Sequence, residues 1–115
     1  MAVSTTFTYL GKTSEGYHMY EGRYQALTGD LYSRTTRIVL TFTGLAVVSG
    51  LMGLSGGLAN AAGNAGTPVV MASIATNVVT LMALESAAVG TAPGEKTDAE
   101  AYGAAVDLRV TVFGL

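Results

Sequence analysis

Apolar and polar positions alternate with period two over much of this chain, the pattern of strands that bury one face and expose the other. In Thr35 to Thr43, Ile38, Leu40 and Phe42 fall on one face, with Arg37, Val39, Thr41 and Thr43 on the other. Near the end, Val106, Leu108, Val110 and Val112 alternate in the same way with Asp107, Arg109, Thr111 and Phe113. Threonine and β-branched residues dominate, as a pleated half-buried surface favours. Each such strand must cover its apolar face, so these seven apolar residues are expected to share one core.

The first third reads as a hairpin. Thr5, Phe7 and Tyr9 alternate with Thr6, Thr8 and Leu10, and the glycine-bounded segment Gly11 to Gly16 turns the chain. Tyr17 to Leu27 then runs as a long strand, with Tyr20, Tyr24 and Ala26 on one side and Glu21, Arg23 and Gln25 on the other. Leu27 to Asp30 supplies the next turn, with a glycine that tolerates positive φ and an aspartate that can bond its own backbone.

Val69 to Ala75 and Val78 to Leu84 are apolar on both faces and joined at Thr76-Asn77, where Asn77 is a usable left-handed residue. Strands of that composition are expected to be covered on both sides. Ser55 to Thr67 turns to Gly, Ala and Asn and reads as a loop, while 45–66 as a whole stays open between loop, strand and short helix. Ser86 to Ala104 carries Pro93-Gly94 followed by Glu95, Lys96, Asp98 and Glu100, and reads as a solvent-exposed loop or loop plus turn. The expected fold is mainly β: one domain over 1–115, a small antiparallel β-sandwich or β-barrel with long Gly/Ala-rich and charged loops.

One stretch tests that expectation. From Ile38 to Leu84 there is no Lys, Arg, Asp, Glu or His, so the segment either crosses a membrane or packs against protein. A spanning helix needs about 20 consecutive apolar residues. Val69 to Leu84 falls short of that and contains Ser73, Thr76, Asn77 and Thr80, while Leu45 to Ala62 is broken by Gly50, Gly53, Gly56 and Gly57. Packing against protein is the better reading. A small pore-forming or lysis-associated membrane protein using 38–84 is the alternative.

Composition narrows the function. Of the 115 residues 50% are hydrophobic and only 12% charged, with a formal net charge of -2; about 25% charged is usual. A surface so poor in charge invites lasting contact with other protein. Six Lys plus Arg against eight Asp plus Glu leave no basic stripe for phosphates, so nucleic acid is not expected as a partner. Cysteine is absent, which removes disulfides and thiolate metal sites. The opening residues lack the basic and apolar regions of a secretory signal.

Candidate chemistry is sparse. His18, the single histidine, has no visible third group to complete a catalytic triad and reads as a partly exposed strand residue. Glu15, Glu21 and Asp30 lie near turns or on a charged face, where solvated carboxylates are the rule. Glu95, Asp98 and Glu100 lack the Asp-x-Asp-x-Asp-Gly order of a calcium loop. The glycines of Gly50 to Gly57 lack the Lys-Ser/Thr of a phosphate loop. No enzyme activity, cofactor or metal is expected. An enzyme or ligand-binding module would require a convergent polar pocket. Five tyrosines, Tyr9, Tyr17, Tyr20, Tyr24 and Tyr32, crowd the first third, and tyrosine supplies rigid contact area with a polar tip. Thr6, Thr8, Tyr17, Tyr20 and Tyr24 are the candidate protein-interface residues.

The opening Met-Ala-Val-Ser-Thr-Thr-Phe-Thr-Tyr-Leu-Gly strand, the return strand from Gly16 to Leu27, the valine-rich late hairpin and the ending Asp107 to Leu115 together resemble small β-rich head proteins of tailed bacteriophages. The resemblance covers strand order and terminal texture end to end and departs at Leu45 to Gly66. It implies a decoration or cement protein on the outside of the capsid, with the major capsid protein as partner, location on the virion surface, a homo-oligomer, by analogy a trimer, and no membrane.

Overall fold

The computed structural model describes residues 3–27, 29–55, 69–85, 94–95, 98–102 and 105–115. Among these residues the chain is all β, with ten strands: β1 (Ser4–Lys12), β2 (His18–Ala26), β3 (Leu31–Tyr32), β4 (Ile38–Thr41), β5 (Val48–Ser55), β6 (Val69–Ala75), β7 (Val78–Glu85), β8 (Gly94–Glu95), β9 (Glu100–Ala101) and β10 (Val106–Gly114). Strands β1, β2, β10 and β5 form one antiparallel sheet in that order. Strands β4, β7 and β6 form a second, with β8 alongside β7, and β3 pairs with β9. Both large sheets are open at their edges, so the arrangement is sandwich-like and the barrel alternative falls away.

Period-two alternation builds the core between the sheets. Ile38, Leu40 and Phe42 come from the β4 side and Val106, Leu108, Val110 and Val112 from β10, all buried, with Val79, Leu81 and Ala83 of β7 beside them. Each of the larger side chains contributes about 1.5–3 kcal/mol by leaving water. The chain crosses between the sheets at 42–48. There the Phe42 amide donates to the Asn77 carbonyl at 2.8 Å and the Val48 amide to the Thr76 carbonyl at 2.7 Å, tying the crossing to the β6–β7 turn.

Several expectations change in detail. The strand expected from Thr35 starts only at Ile38, because Arg37 takes a left-handed φ of 62° and its amide closes a turn on the Ser33 carbonyl at 2.7 Å. In the β6–β7 turn the left-handed residue is Thr76, φ 51°, rather than Asn77, whose side-chain amide instead donates to the Phe42 carbonyl at 3.3 Å. Asp30 closes its turn as expected by accepting from the Leu27 amide at 2.8 Å, while Gly29 does not use positive φ. The β6–β7 hairpin is covered on one face only: Val79, Leu81 and Ala83 are buried, but Val78, Thr80, Met82 and Leu84 between them are half-buried and Met71 is exposed.

Two further segments take definite structure, one that the sequence leaves open between loop, strand and short helix and one expected as an exposed loop. Residues 48–55 form β5, and Gly50 is part of the reason: a Cβ there would lie 2.7 Å from the Phe113 ring, so glycine leaves room for the ring against the neighbouring strand. In 86–104, Gly94, Asp98, Ala99 and Ala101 are exposed as expected, but two other described residues are anchored. Tyr102 is buried, and Glu95 accepts hydrogen bonds from Tyr32 and Arg37. The part of the expected loop at 56–67 lies outside the described residues.

Candidate protein interface

The five candidate residues separate by parity. In β1 and β2, Thr6 faces Arg23, Thr8 faces Glu21, and both threonines are exposed on the sheet face turned away from the core. Tyr17 lies on the same side: its ring meets Phe113 edge-on with centroids 5.4 Å apart, and Phe113 shares the outward parity of Arg109 and Thr111. Tyr20 and Tyr24 point the other way. Tyr24 is 6% exposed and its hydroxyl lies 3.1 Å from that of Tyr102, which makes it a core residue and removes it from the interface. Tyr20 is half-buried, its ring tilted at 57° against that of Tyr9 with centroids 5.1 Å apart, and so close over Gly44 that a Cβ there would collide with its hydroxyl. An even-numbered tyrosine in this strand is a packing residue, because the alternation that buries Ala26 buries Tyr20 and Tyr24 as well.

The outer face has a charged middle that neutralises itself. Register places Arg23 directly opposite Arg109, an unfavourable juxtaposition of like charges. Each arginine turns instead to a diagonal carboxylate. Arg23 grips Asp107 with two hydrogen bonds, Nε to Oδ1 at 2.9 Å and Nη2 to Oδ2 at 2.8 Å, and Arg109 Nη1 lies 3.8 Å from Glu21 Oε1. The Arg23 hydrogen bonds hold the Asp107 carboxyl below its ordinary pKa, and Asp107 raises that of Arg23 in return. Threonines on β1 flank this zwitterionic stripe.

At the hairpin end of the same face, Thr13, Glu15, Tyr17, Met52 and Phe113 line an open cleft of about 300 Å³. The turn that shapes it is set by Gly11 and Gly16, with φ of 121° and 93°, and by the Thr13 hydroxyl accepting from the Tyr17 amide at 3.1 Å. Met52 is 54% exposed and sits where the β5–β10 register slips. Phe113 and Met52 were not among the expected interface residues. The parity of Phe113 in 106–113 was a usable signal; Met52 had none, since its strand was unassigned.

The remaining candidates do not converge. Glu21 is beside Arg109, Asp30 is buried in its own turn, and Glu15 borders the cleft. His18 is half-buried with Nδ1 3.0 Å from the Tyr9 hydroxyl. Asp98 accepts from the Arg34 amide at 2.8 Å. Among the described residues no three His, Asp or Glu side chains are grouped to hold a metal ion. Residues 50–55 of the glycine-rich run form a strand and not a loop, with Gly56 and Gly57 outside the described residues. No described helix is long and apolar enough to cross a membrane; 69–84, the stretch that offered one, lies in the β6–β7 hairpin.

No family model matches the sequence, and no curated protein or solved structure matches the chain.

Proposed function

We propose that this chain is a virion structural protein that decorates or cements the outside of a bacteriophage capsid, binding the major capsid protein lattice through the outer face of the β1–β2–β10–β5 sheet. The observation that carries the reading is the pairing of Arg23 with Asp107 and Arg109 with Glu21, which leaves a broad sheet face electrically satisfied within itself. Charges already paired on that face cost less to bury against another protein than unpaired ones would, and the Tyr17–Phe113–Met52 cleft offers an apolar recess for one side chain of the shell. Such a protein needs no reacting group. It needs a rigid scaffold and repetition, because weak single contacts become strong when many copies meet a repeating lattice.

The test compares capsids prepared with and without the protein. Binding restricted to the assembled shell raises its melting temperature by mass action. Tyr17→Ala should reduce that gain while leaving the fold intact, since Tyr17 lies outside the core. Tyr20→Ala is unsuitable for this purpose because Tyr20 packs on Tyr9 and Gly44. Equal melting of the two preparations overturns the reading.

A further inference from the structure

We infer that β1 is a self-complementary edge through which two copies of this chain join their sheets, in an antiparallel pairing centred on Phe7. This goes beyond the shell-docking reading and does not depend on it. Among the described residues β1 pairs only with β2, so one side of its backbone is left unmatched. Exposed edges of this kind are usually blunted by charge, proline, a bulge or brevity. From Ser4 to Tyr9 none of these is present: six consecutive residues hold unbroken register with β2, and the bulge and Lys12 come only afterwards. The other edges of the large sheets differ. β5 carries two register slips against β10, β6 carries one against β7, and β4 is four residues long.

The occupant follows from the residues of β1. Neither proline nor charge occurs from Ser4 to Leu10, so a second copy brings no like charge against the first. A two-fold axis beside Phe7 sets Phe7 against the partner's Phe7, Thr5 against the partner's Tyr9, and Thr6 against the partner's Thr8. Every one of these is an aromatic–aromatic, aromatic–β-branched or Thr–Thr pair, the kinds that stabilise neighbouring antiparallel strands. Shifting the centre to Thr6 keeps aromatic–β-branched pairs, Phe7 against Thr5 and Tyr9 against Val3, but removes the aromatic–aromatic contact of Phe7 with its own copy at the axis. The pairing also covers Tyr9 and Leu10, now 49% and 47% exposed at the edge. Both sheets then continue as one eight-stranded sheet, with the neutral Thr6–Thr8 rows meeting on its outer face.

Sedimentation equilibrium of the full chain over a wide concentration range should show a reversible dimer, twice the 11.7 kDa protomer. The double variant Thr6→Lys with Thr8→Lys places lysine opposite lysine twice across the axis and should weaken the dimer about tenfold or more, each like-charge pair acting against association. Thr6→Glu with Thr8→Lys places opposite charges there instead, also opposes Arg23 and Glu21 of β2 with the complementary sign, and should dimerise again, now more weakly as salt rises, whereas the unmodified dimer is nearly insensitive to salt. Circular dichroism establishes that each variant is folded; if the lysine pair does not fold, the salt dependence of the lysine–glutamate variant decides. A monomer at all concentrations, a trimer, a dimer that tolerates the lysine pair, or a lysine–glutamate variant that stays monomeric or ignores salt each overturns the inference.

Discussion

The hydroxyl of Tyr32 donates a 2.6 Å hydrogen bond to Oε2 of Glu95, fastening residues that lie 63 positions apart in the chain. The same oxygen of Tyr32 accepts from the Ala83 amide at 3.3 Å, and Arg37 Nε completes the group at 3.1 Å from Glu95. A fully buried tyrosine therefore connects β3, β7 and β8. Tyr32→Phe should lower stability by about 1–3 kcal/mol, because the buried Ala83 amide then has no acceptor there. Chemical denaturation of the two proteins gives the difference directly; an unchanged midpoint and slope would show that the clasp does not hold the fold.

The clasp also predicts acid sensitivity. Hydrogen bonds from Tyr32, then from Arg37, hold the Glu95 carboxyl below the ordinary carboxylate value. A depressed folded-state pKa stabilises above the unfolded value of about 4.3 and loses that stabilisation as pH falls through the folded one. Glu95→Gln should therefore flatten the fall of melting temperature between neutral pH and the acid range. A parallel displacement of the two curves would sink the assignment.

At the alkaline end the buried tyrosines act in the opposite sense. Burial, reinforced by the bond to Glu95, pushes Tyr32 up to about 12, and burial also raises Tyr24 and Tyr102, whose hydroxyls share one hydrogen bond. A raised folded-state pKa contributes stability that is complete below the unfolded value near 10 and is lost as pH rises through the folded one. Melting temperature should fall above about pH 10. Ultraviolet titration should show Tyr24, Tyr32 and Tyr102 ionising above the ordinary tyrosine value; ionisation of these three near about 10 in the folded protein would contradict their burial.

Leu108 is fully buried between the sheets. Leu108→Asp should abolish folding, since an unpaired buried carboxylate costs several kcal/mol, a large part of the stability of a domain this size. Retention of a native melting transition would remove Leu108 from the core.

Gly22 lies mid-strand in β2 with the Phe42 ring pressed down on it, its nearest carbon 2.7 Å from where a Cβ would stand. Gly22→Ala should destabilise by about 1–3 kcal/mol through overpacking, against the usual preference for alanine over glycine in a strand. A rise in melting temperature would show that the ring yields freely.

Thr76 holds a φ of 51°, a conformation that costs a β-branched residue about 1–2 kcal/mol. Thr76→Gly removes that strain and adds a smaller unfolded-state entropy of about 0.4–1 kcal/mol, so a modest rise in melting temperature is expected. A fall would mean that the threonine side chain makes up for its backbone.

Sequence alone determined the alternating strands of this protein. Period two in 5–10, 18–26, 38–42 and 106–113 sorted the residues of each strand onto two faces, and in 38–42 and 106–113 named the face that turns inward, because successive side chains leave a pleated strand on opposite faces whatever its neighbours are. The same parity separates Tyr17 from Tyr20 and Tyr24, although clustering in the sequence had suggested that the three act together. Tertiary structure decided the rest. Gly50 lies in a stretch that reads equally as loop, strand or short helix until the Phe113 ring is found against it, and Tyr102 and Glu95 read as surface until Tyr24 and Tyr32 are found beside them. Arg23 and Arg109 become a neutral pair of ion pairs only through the register that brings Asp107 and Glu21 to their diagonals. Local pattern carries the direction of a side chain, whereas what it meets depends on which distant strand the fold brings alongside.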